Sequence, residues 1–165
     1  FIGERRFKTF LQEFILAKPG DIVSTDGKLL GRHDGVIYYT LGQRKGLHIG
    51  GVKGEEDTAW YVVDKNLNNN QLIVSAGDNH PQLLSSALTC DDAHWVVAEP
   101  DFPLHCSAKT RYRQADQLCV VTKISASDYR VEFSEQQRAV TPGQSVVFYQ
   151  GDRCLGGATI KRRIS

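Results

Sequence analysis

The sequence predicts a mainly β protein with one N-terminal amphipathic helix. We expect a small central α+β domain followed by an antiparallel β-barrel of six or seven strands. Three observations predict this: apolar residues repeat at helical spacing only near the start, short apolar runs separated by turn residues fill the rest, and the later runs are almost evenly spaced. Evenly spaced short strands are typical of small barrels and sandwiches. The 165 residues, 41% of them hydrophobic, suffice for one domain or two small ones.

The predicted helix lies at the start of the central domain, which we place at residues 1–77. One apolar stripe recurs at i, i+3, i+4, i+7 and i+8, formed by Phe7, Phe10, Leu11, Phe14 and Ile15. This spacing places the five side chains on a single helix face. Pro19 and Gly20 then end the helix. We expect the stripe to pack in the core and the charged opposite face to meet water.

The rest of the central domain is predicted to consist of short strands. They cover residues 21–24, 28–30, 36–41, 60–63 and 71–74. The polar turn at residues 66–70 joins the last two strands and predicts a hairpin. A linker at residues 78–82 follows.

The barrel is predicted over residues 83–165. Its strands are expected at residues 88–90, 94–97, 105–112, 118–124, 129–133, 145–149 and 155–160. Turn residues separate them, among them Thr141, Pro142 and Gly143.

Cysteine and histidine usage indicates neither a metal site nor a catalytic pair. The four cysteines lack C-x-x-C spacing and have apolar or small neighbours: Cys90, Cys106, Cys119 and Cys154. We expect them to be structural thiols that behave as small hydrophobes. The five histidines form no H-x-x-x-H pair. We therefore assign no metal ligands and no catalytic residues.

The chain contains no methionine and begins with Phe1, so we expect it to be a piece of a longer protein. No apolar run approaches the roughly 20 residues that span a bilayer. We expect a cytoplasmic protein with no membrane partner.

Basic residues concentrate in the second part of the chain. Residues 101–165 hold 10 Lys and Arg against 6 Asp and Glu, a net charge of +4, whereas residues 1–100 hold 10 against 13, a net charge of −3. The segment 109–113 interleaves three cations with Tyr112. Such a cluster can follow a phosphate backbone while its ring stacks on a base. A solvated barrel face is the alternative.

A second basic segment lies in a glycine-rich stretch at residues 39–51. Four glycines surround Gln43, Arg44 and Lys45, more than a plain hairpin needs. The basic residues suggest an anionic partner. The stretch is not a Walker loop, because Gly42 and Gly46 are one residue too close and Leu47 follows Gly46.

Six segments, in the same order, resemble the bacterial tRNA-uridine 2-sulfurtransferases, also called tRNA 2-thiouridylases. Together they extend over essentially the whole chain. They are FIGERRF at 1–7, YTLGQRKGL at 39–47, WYVV at 60–63, TRYRQ at 110–114, AVTPGQ at 139–144 and CLGG at 154–157.

The resemblance implies that this chain is the C-terminal portion of such an enzyme, without its catalytic domain. In the family that domain uses ATP to adenylate the wobble uridine, and two cysteines then complete persulfide sulfur transfer. None of the four cysteines here occupies either catalytic position. The chain alone is therefore expected to be inactive and to bind no cofactor. The implied partners are the anticodon region of tRNA, the missing N-terminal catalytic domain, and a sulfur-carrier protein or cysteine desulfurase system.

The resemblance also places tRNA contacts at Tyr112, Arg113 and Gln144. Arg113 can form a forked bond to phosphate, and Tyr112 can stack on a base or donate its hydroxyl. Gln144 can offer its amide to sugar or base. A barrel ring with a satisfied hydroxyl is the alternative for Tyr112. Arg44 and Lys45 are candidate anion or RNA contacts, or they pack against the missing domain.

Two other functions compete with tRNA binding. The chain could be a structural module that supports the catalytic domain or docks the sulfur carrier, with little RNA affinity. It could also be an independent enzyme whose acid–base groups come from Asp91, Asp92, His94 and Asp116. Their spacing forms no nucleophile–base pair, which disfavours the second option.

Overall fold

A computed structural model describes residues 17–49 and 59–165. The predicted helix at residues 7–15 lies outside the described residues. The chain divides into two compact units between His80 and Pro81. In the part that is described, no helix is long and apolar enough to cross a membrane.

The first unit contains a four-stranded sheet in the order β2-β1-β4-β3. Its strands are β1 (Gly20–Ser24), β2 (Leu29–His33), β3 (Trp60–Asn66) and β4 (Gln71–Ala76). Strand β1 runs antiparallel to β2 and parallel to β4, so the sheet is mixed. Strands β3 and β4 form the hairpin that the sequence predicts around residues 66–70. Ile22, Val62 and Leu72 are fully buried in this unit.

The predicted strand at residues 36–41 is wrong. Val36–Tyr38 forms a 3-10 helix, in which the N–H groups of Tyr38 and Tyr39 donate to carbonyls three residues back. Tyr39 and Leu41 are buried, as the apolar run implies. Burial alone does not make a strand, since a strand also needs a neighbour that accepts its backbone hydrogen bonds.

The glycine-rich stretch that follows is anchored to β3. The N–H of Gly42 donates to the carbonyl of Val62 at 2.7 Å, and the N–H of Val62 donates to the carbonyl of Gln43 at 3.0 Å. The Gln43 side chain also accepts from the N–H of Thr40. The described part of this loop is therefore held by its own residues and by β3.

His33 is a buried histidine that joins β2 to the β3–β4 turn. It is 1% exposed, and its Nε2–H donates to the carbonyl of Asn70 at 3.1 Å. Its Nδ1 has no hydrogen-bond partner among the described residues. Gly20 lies against the same carbonyl, where a Cβ atom would overlap with the oxygen.

Burial lowers the pKa of His33 below its usual value. The Asn70 carbonyl, Asp21 and Asp34 act in the opposite direction, and Arg32 adds to the lowering. The unfolded chain therefore takes up the proton first as pH falls. The contribution of neutral His33 to stability is present above about pH 6.5 and is lost as pH falls below it.

We predict that the free energy of unfolding falls between pH 7.5 and pH 5.5, and falls less in His33→Gln. Glutamine keeps an N–H donor for Asn70 but does not titrate. Urea unfolding of both proteins across this pH range measures the difference. If the free energy of unfolding falls by the same amount in both proteins, His33 is not the cause of the fall.

The second unit is a closed six-stranded barrel in the order β10-β5-β8-β7-β6-β9, as predicted. A second 3-10 helix, Pro81–Leu83, precedes it. The strands of the barrel are β5 (Leu84–Trp95), β6 (Leu104–Lys109), β7 (Gln117–Lys123), β8 (Tyr129–Arg138), β9 (Ser145–Gln150) and β10 (Arg153–Ile164). All their neighbouring pairs are antiparallel.

Strand β5 replaces the two separate strands predicted at residues 88–90 and 94–97. The polar pair Asp91 and Asp92 does not end it, because β5 continues through a bulge. Asp92 has a φ of +51°, and the register with β10 shifts beside it. A bulge bends a strand without ending its pairing, which suits a closing barrel.

An aromatic cluster fills part of the barrel core. The rings of Trp95 and Phe148 stack with centroids 5.6 Å apart. Tyr129 and Phe102 pack around Trp95, each with centroids 6.0 Å away. This cluster joins β5, β8 and β9 to the segment between β5 and β6.

Candidate nucleic-acid interface

The segment between β6 and β7 is a tight turn that exposes the predicted contact residues. The N–H of Gln114 donates to the carbonyl of Arg111 at 3.1 Å, so Tyr112 and Arg113 occupy the two central positions. Both are exposed, and the exposed fraction of Tyr112 is 95%. The alternative of a Tyr112 ring packed in the barrel is therefore excluded. The predicted strand 105–112 ends earlier, at Lys109, and the turn begins two residues later, at Arg111.

The turn is held in place by the Gln114 side chain. Its Oε1 accepts from the N–H and from the hydroxyl of Thr110, each at 3.0 Å. Its Nε2 donates to Oε1 of Gln137 at 2.6 Å. Gln137, which is 3% exposed, donates in turn to Gln117 and to the carbonyl of Glu135. This amide network ties the turn to β8.

We predict that Gln114→Ala lowers the free energy of unfolding by about 1–3 kcal/mol, because buried donors and acceptors lose their partner. The exposed Gln136→Ala, on the neighbouring strand, is the matched control and should cost much less. Urea unfolding of both variants measures the difference. Equal losses in the two variants would contradict a clamping role for Gln114.

Gln144 lies at the end of a second turn, between β8 and β9. Its N–H donates to the carbonyl of Thr141 at 3.2 Å, and Pro142 and Gly143 occupy the central positions. Gly143 has a φ of +84°, as the third residue of a type II turn requires. The turn is bonded to β10 through the N–H of Gly143, which donates to the carbonyl of Ile160 at 2.8 Å. Gln144 is exposed.

A single carbonyl connects the two turns. The oxygen of Ala139 accepts from Nη2 of Arg111 at 3.3 Å and from the hydroxyl of Thr141 at 3.0 Å. The N–H of Ala139 donates to the carbonyl of Leu83. Segments 28 residues apart in the chain are thereby brought to one side of the barrel.

Tyr112 and Gln144 line one open groove of about 420 Å³. Arg113 is exposed beside Tyr112 but is not among the lining residues. The groove is also lined by Lys109, Thr110, Arg111, Ser145, Val147 and Tyr149. Sequence reasoning included Lys109 and Arg111 only as part of a basic cluster and did not identify Tyr149. Its ring reaches the groove because β9 pairs with β6.

The groove has a cationic and aromatic lining. Nζ of Lys109 lies 5.2 Å from the centroid of the Tyr149 ring and 3.0 Å from a carboxylate oxygen of Asp116. Burial lowers the pKa of Arg111, and Arg138 adds to the effect. The guanidinium remains protonated at neutral pH. The groove therefore offers positive charge and π surface together, which suits a nucleic-acid strand.

The other candidate residues lie in the first unit. Arg44 and Lys45 are exposed on the glycine-rich stretch. Arg44 lines a small depression of about 210 Å³ with Leu47 and Trp60. Their role as anion or RNA contacts stays a prediction.

The side chains that the competing enzyme hypothesis would use are held in ion pairs or are exposed to solvent. Nζ of Lys161 lies 3.3 Å from Asp91 and 2.7 Å from Asp128. The imidazole of His94 contacts the carbonyl of Asp92 at 3.0 Å and is largely exposed. Within residues 17–49 and 59–165, no three His, Cys, Asp or Glu side chains lie close enough to hold a metal ion.

Comparison with known proteins matches both units. The profile of the tRNA methyl transferase PRC-barrel domain matches residues 8–76, and that of the aminomethyltransferase beta-barrel domain matches residues 85–160. A tRNA-specific 2-thiouridylase MnmA of Legionella pneumophila (strain Lens) is 57% identical over 99% of this chain. The chain belongs to the tRNA-specific 2-thiouridylase family. The resemblance read from the six segments is thus confirmed.

Other members of the 2-thiouridylase family agree over the same region. The proteins of Coxiella burnetii (strain RSA 493 / Nine Mile phase I) and Haemophilus influenzae (strain ATCC 51907 / DSM 11121 / KW20 / Rd) are 57% and 55% identical over 97% and 99% of the chain. The chain spans 46%, 44% and 43% of the three relatives. It therefore matches somewhat less than half of a 2-thiouridylase, in the region of the two barrel-type domains.

Proposed function

We propose that this chain is the tRNA-binding and positioning part of an enzyme that 2-thiolates the wobble uridine of tRNA. The observation that supports it is the meeting of Tyr112 and Gln144 in one cationic groove. They come from turns that are far apart in the chain, and both are exposed beside Lys109 and Arg111. The relatives are named for 2-thiouridylase activity on tRNA, which makes tRNA the ligand to test first.

The candidate residues in and beside the groove each have a chemical role in this proposal. The Arg113 guanidinium can hold a phosphate by two parallel bonds, and Lys109 adds a mobile positive charge. The Tyr112 ring stacks on an unpaired base of the anticodon loop, where bases are accessible. The Gln144 amide bonds to a sugar hydroxyl or a base edge. The Arg111 guanidinium acts indirectly, because it holds the Ala139 carbonyl and so fixes the turn that carries Tyr112.

The reaction itself is assigned to the part of the enzyme outside this chain. There, we propose, ATP activates the uridine and a persulfide cysteine delivers the sulfur, supplied by a carrier protein or a cysteine desulfurase. The glycine-rich stretch does not have the form of a Walker phosphate-binding loop, because Gly42 and Gly46 are one residue too close. This chain contributes affinity and orientation, and no catalytic step.

A fluorescence titration with a labelled tRNA anticodon arm tests the proposal. Binding is expected at low salt, with affinity that falls steeply as salt rises to a physiological level, because each phosphate contact releases counterions. Arg153→Ala removes one exposed charge at the first residue of β10 and serves as the matched control for Arg113→Ala, with little expected effect. No binding at low salt would overturn the proposal and favour a docking module for the catalytic domain or the sulfur carrier.

A further inference from the structure

Two cysteines of the barrel face each other across strands β6 and β7. Cys106 lies directly opposite Cys119 in the antiparallel register, and their Sγ atoms are 3.7 Å apart. Opposed residues of antiparallel strands have Cα atoms about 4.5–5.5 Å apart, within the range that disulfides span. The sulfurs need to approach by only about 1.7 Å to reach bonding distance. The backbone geometry of the two facing strands is therefore compatible with a disulfide.

We propose that Cys106 and Cys119 form a redox-sensitive dithiol, which a hydroperoxide converts into a cross-strand disulfide. Their exposed fractions of 8% and 4% suit an oxidant of very few atoms better than a peptide-sized one. Both residues also belong to the wall of an open groove of about 420 Å³, together with His105 and Leu118. This site is separate in chemistry from the tRNA groove, and the proposal does not depend on tRNA binding.

Cys106 is the thiol that reacts first. When the Cys119 thiol donates its S–H to the sulfur of Cys106, across 3.7 Å, this hydrogen bond lowers the pKa of Cys106, although burial opposes the effect. The same hydrogen bond and burial raise the pKa of Cys119. When the pair loses one proton, the charge therefore resides on Cys106, and the thiolate is the nucleophilic form of cysteine.

The reaction balances with hydrogen peroxide as the oxidant. The Cys106 thiolate attacks one peroxide oxygen, an S–O bond forms, the O–O bond breaks and hydroxide leaves. The Cys119 sulfur then attacks the sulfenic sulfur of Cys106, the S–S bond forms, and the leaving hydroxyl takes the thiol proton as water. Overall, two thiols lose two electrons and two protons, and one peroxide becomes two waters.

The other two cysteines provide internal controls. Cys90 is fully buried, and burial, which is the main cause, raises its pKa to about 12, so it should not react. Cys154 is exposed, so it should react early and independently of the pair. Cys154→Ser removes this competing thiol and prevents linkage between molecules.

The test treats the Cys154→Ser chain with hydrogen peroxide, then denatures, alkylates and digests it. Alkylatable thiols should fall from three to one, with Cys90 remaining, and dithiothreitol should restore all three. Chymotryptic cleavage after Trp95 separates Cys90 from Cys106, so the linked peptide identifies the partners. The oxidised chain should also unfold at a higher temperature than the reduced chain, because the closed loop restricts the unfolded state.

The wild-type chain is treated in parallel, and complete oxidation of its exposed Cys154 defines a sufficient exposure to peroxide. If all three thiols of Cys154→Ser remain alkylatable when Cys154 of the wild type is fully oxidised, the proposal is overturned. A sulfinic acid on Cys106 without linkage, or a link that includes Cys90, overturns it equally. In Cys119→Ser/Cys154→Ser the sulfenic acid on Cys106 has no resolving thiol, and dimedone should label it. If dimedone does not label Cys106 in this double variant, Cys106 is not the thiol that first attacks the peroxide.

Discussion

The Tyr112→Ala/Arg113→Ala double variant should bind a tRNA anticodon arm roughly 30- to 700-fold more weakly than the wild-type chain, a loss of about 2–4 kcal/mol. Loss of a charged hydrogen bond from Arg113 should contribute about 1–2 kcal/mol of this. Loss of base stacking on Tyr112 should contribute the remainder, since stacking on an aromatic ring is worth about 1–3 kcal/mol per base. Both side chains are exposed on a turn, so their removal should leave the fold intact.

The single variants separate the two contributions. Arg113→Ala should weaken the salt dependence of binding, because one phosphate contact is lost. Tyr112→Ala should weaken binding at every salt concentration by a similar factor. Circular dichroism and urea unfolding of each variant verify the fold. Unchanged affinity in the double variant, with the wild type binding as expected, would place the tRNA contact elsewhere on the chain.

Phe148→Ala should lower the free energy of unfolding of the barrel by about 3–5 kcal/mol, a large part of the stability of a small domain. Phe148 is 1% exposed and stacks on Trp95. It lies in β9, opposite Ala108 of β6 and Gly156 of β10. Its removal leaves a cavity between three strands, and closed hydrogen-bond ladders on both sides restrict their collapse into it.

Trp95 fluorescence during urea unfolding measures this loss, in a Trp60→Phe background so that only the barrel reports. Leu118→Ala is the matched control, because Leu118 is a large apolar side chain on strand β7 of the same barrel that is mostly exposed. Its effect should be well under 1 kcal/mol. Similar losses in the two variants would show that the barrel core relaxes around the missing ring.

The candidate site shows how far local sequence signals extend. The basic and aromatic segment around Tyr112 and the Pro-Gly turn before Gln144 are both visible in the sequence, since turn residues have local conformational preferences. The clamp by Gln114 and the joining of the turns at the Ala139 carbonyl are not visible. They depend on atoms that approach only after β8 has paired with β7.

The sequence by itself determined that the chain is mostly β, where most strands lie, where the 66–70 hairpin turns, and the family. These properties follow from apolar runs, turn residues and motif order, all of which are local or read in order along the chain. The tertiary structure alone decided that residues 36–41 form no strand, that β5 continues through Asp91 and Asp92, and that the barrel closes by pairing β5 with β10. The tertiary structure also decided that Cys106 and Cys119 lie opposite each other on β6 and β7. A strand's side-chain pattern specifies which face is buried, whereas its partner and register depend on backbone groups far away in the chain.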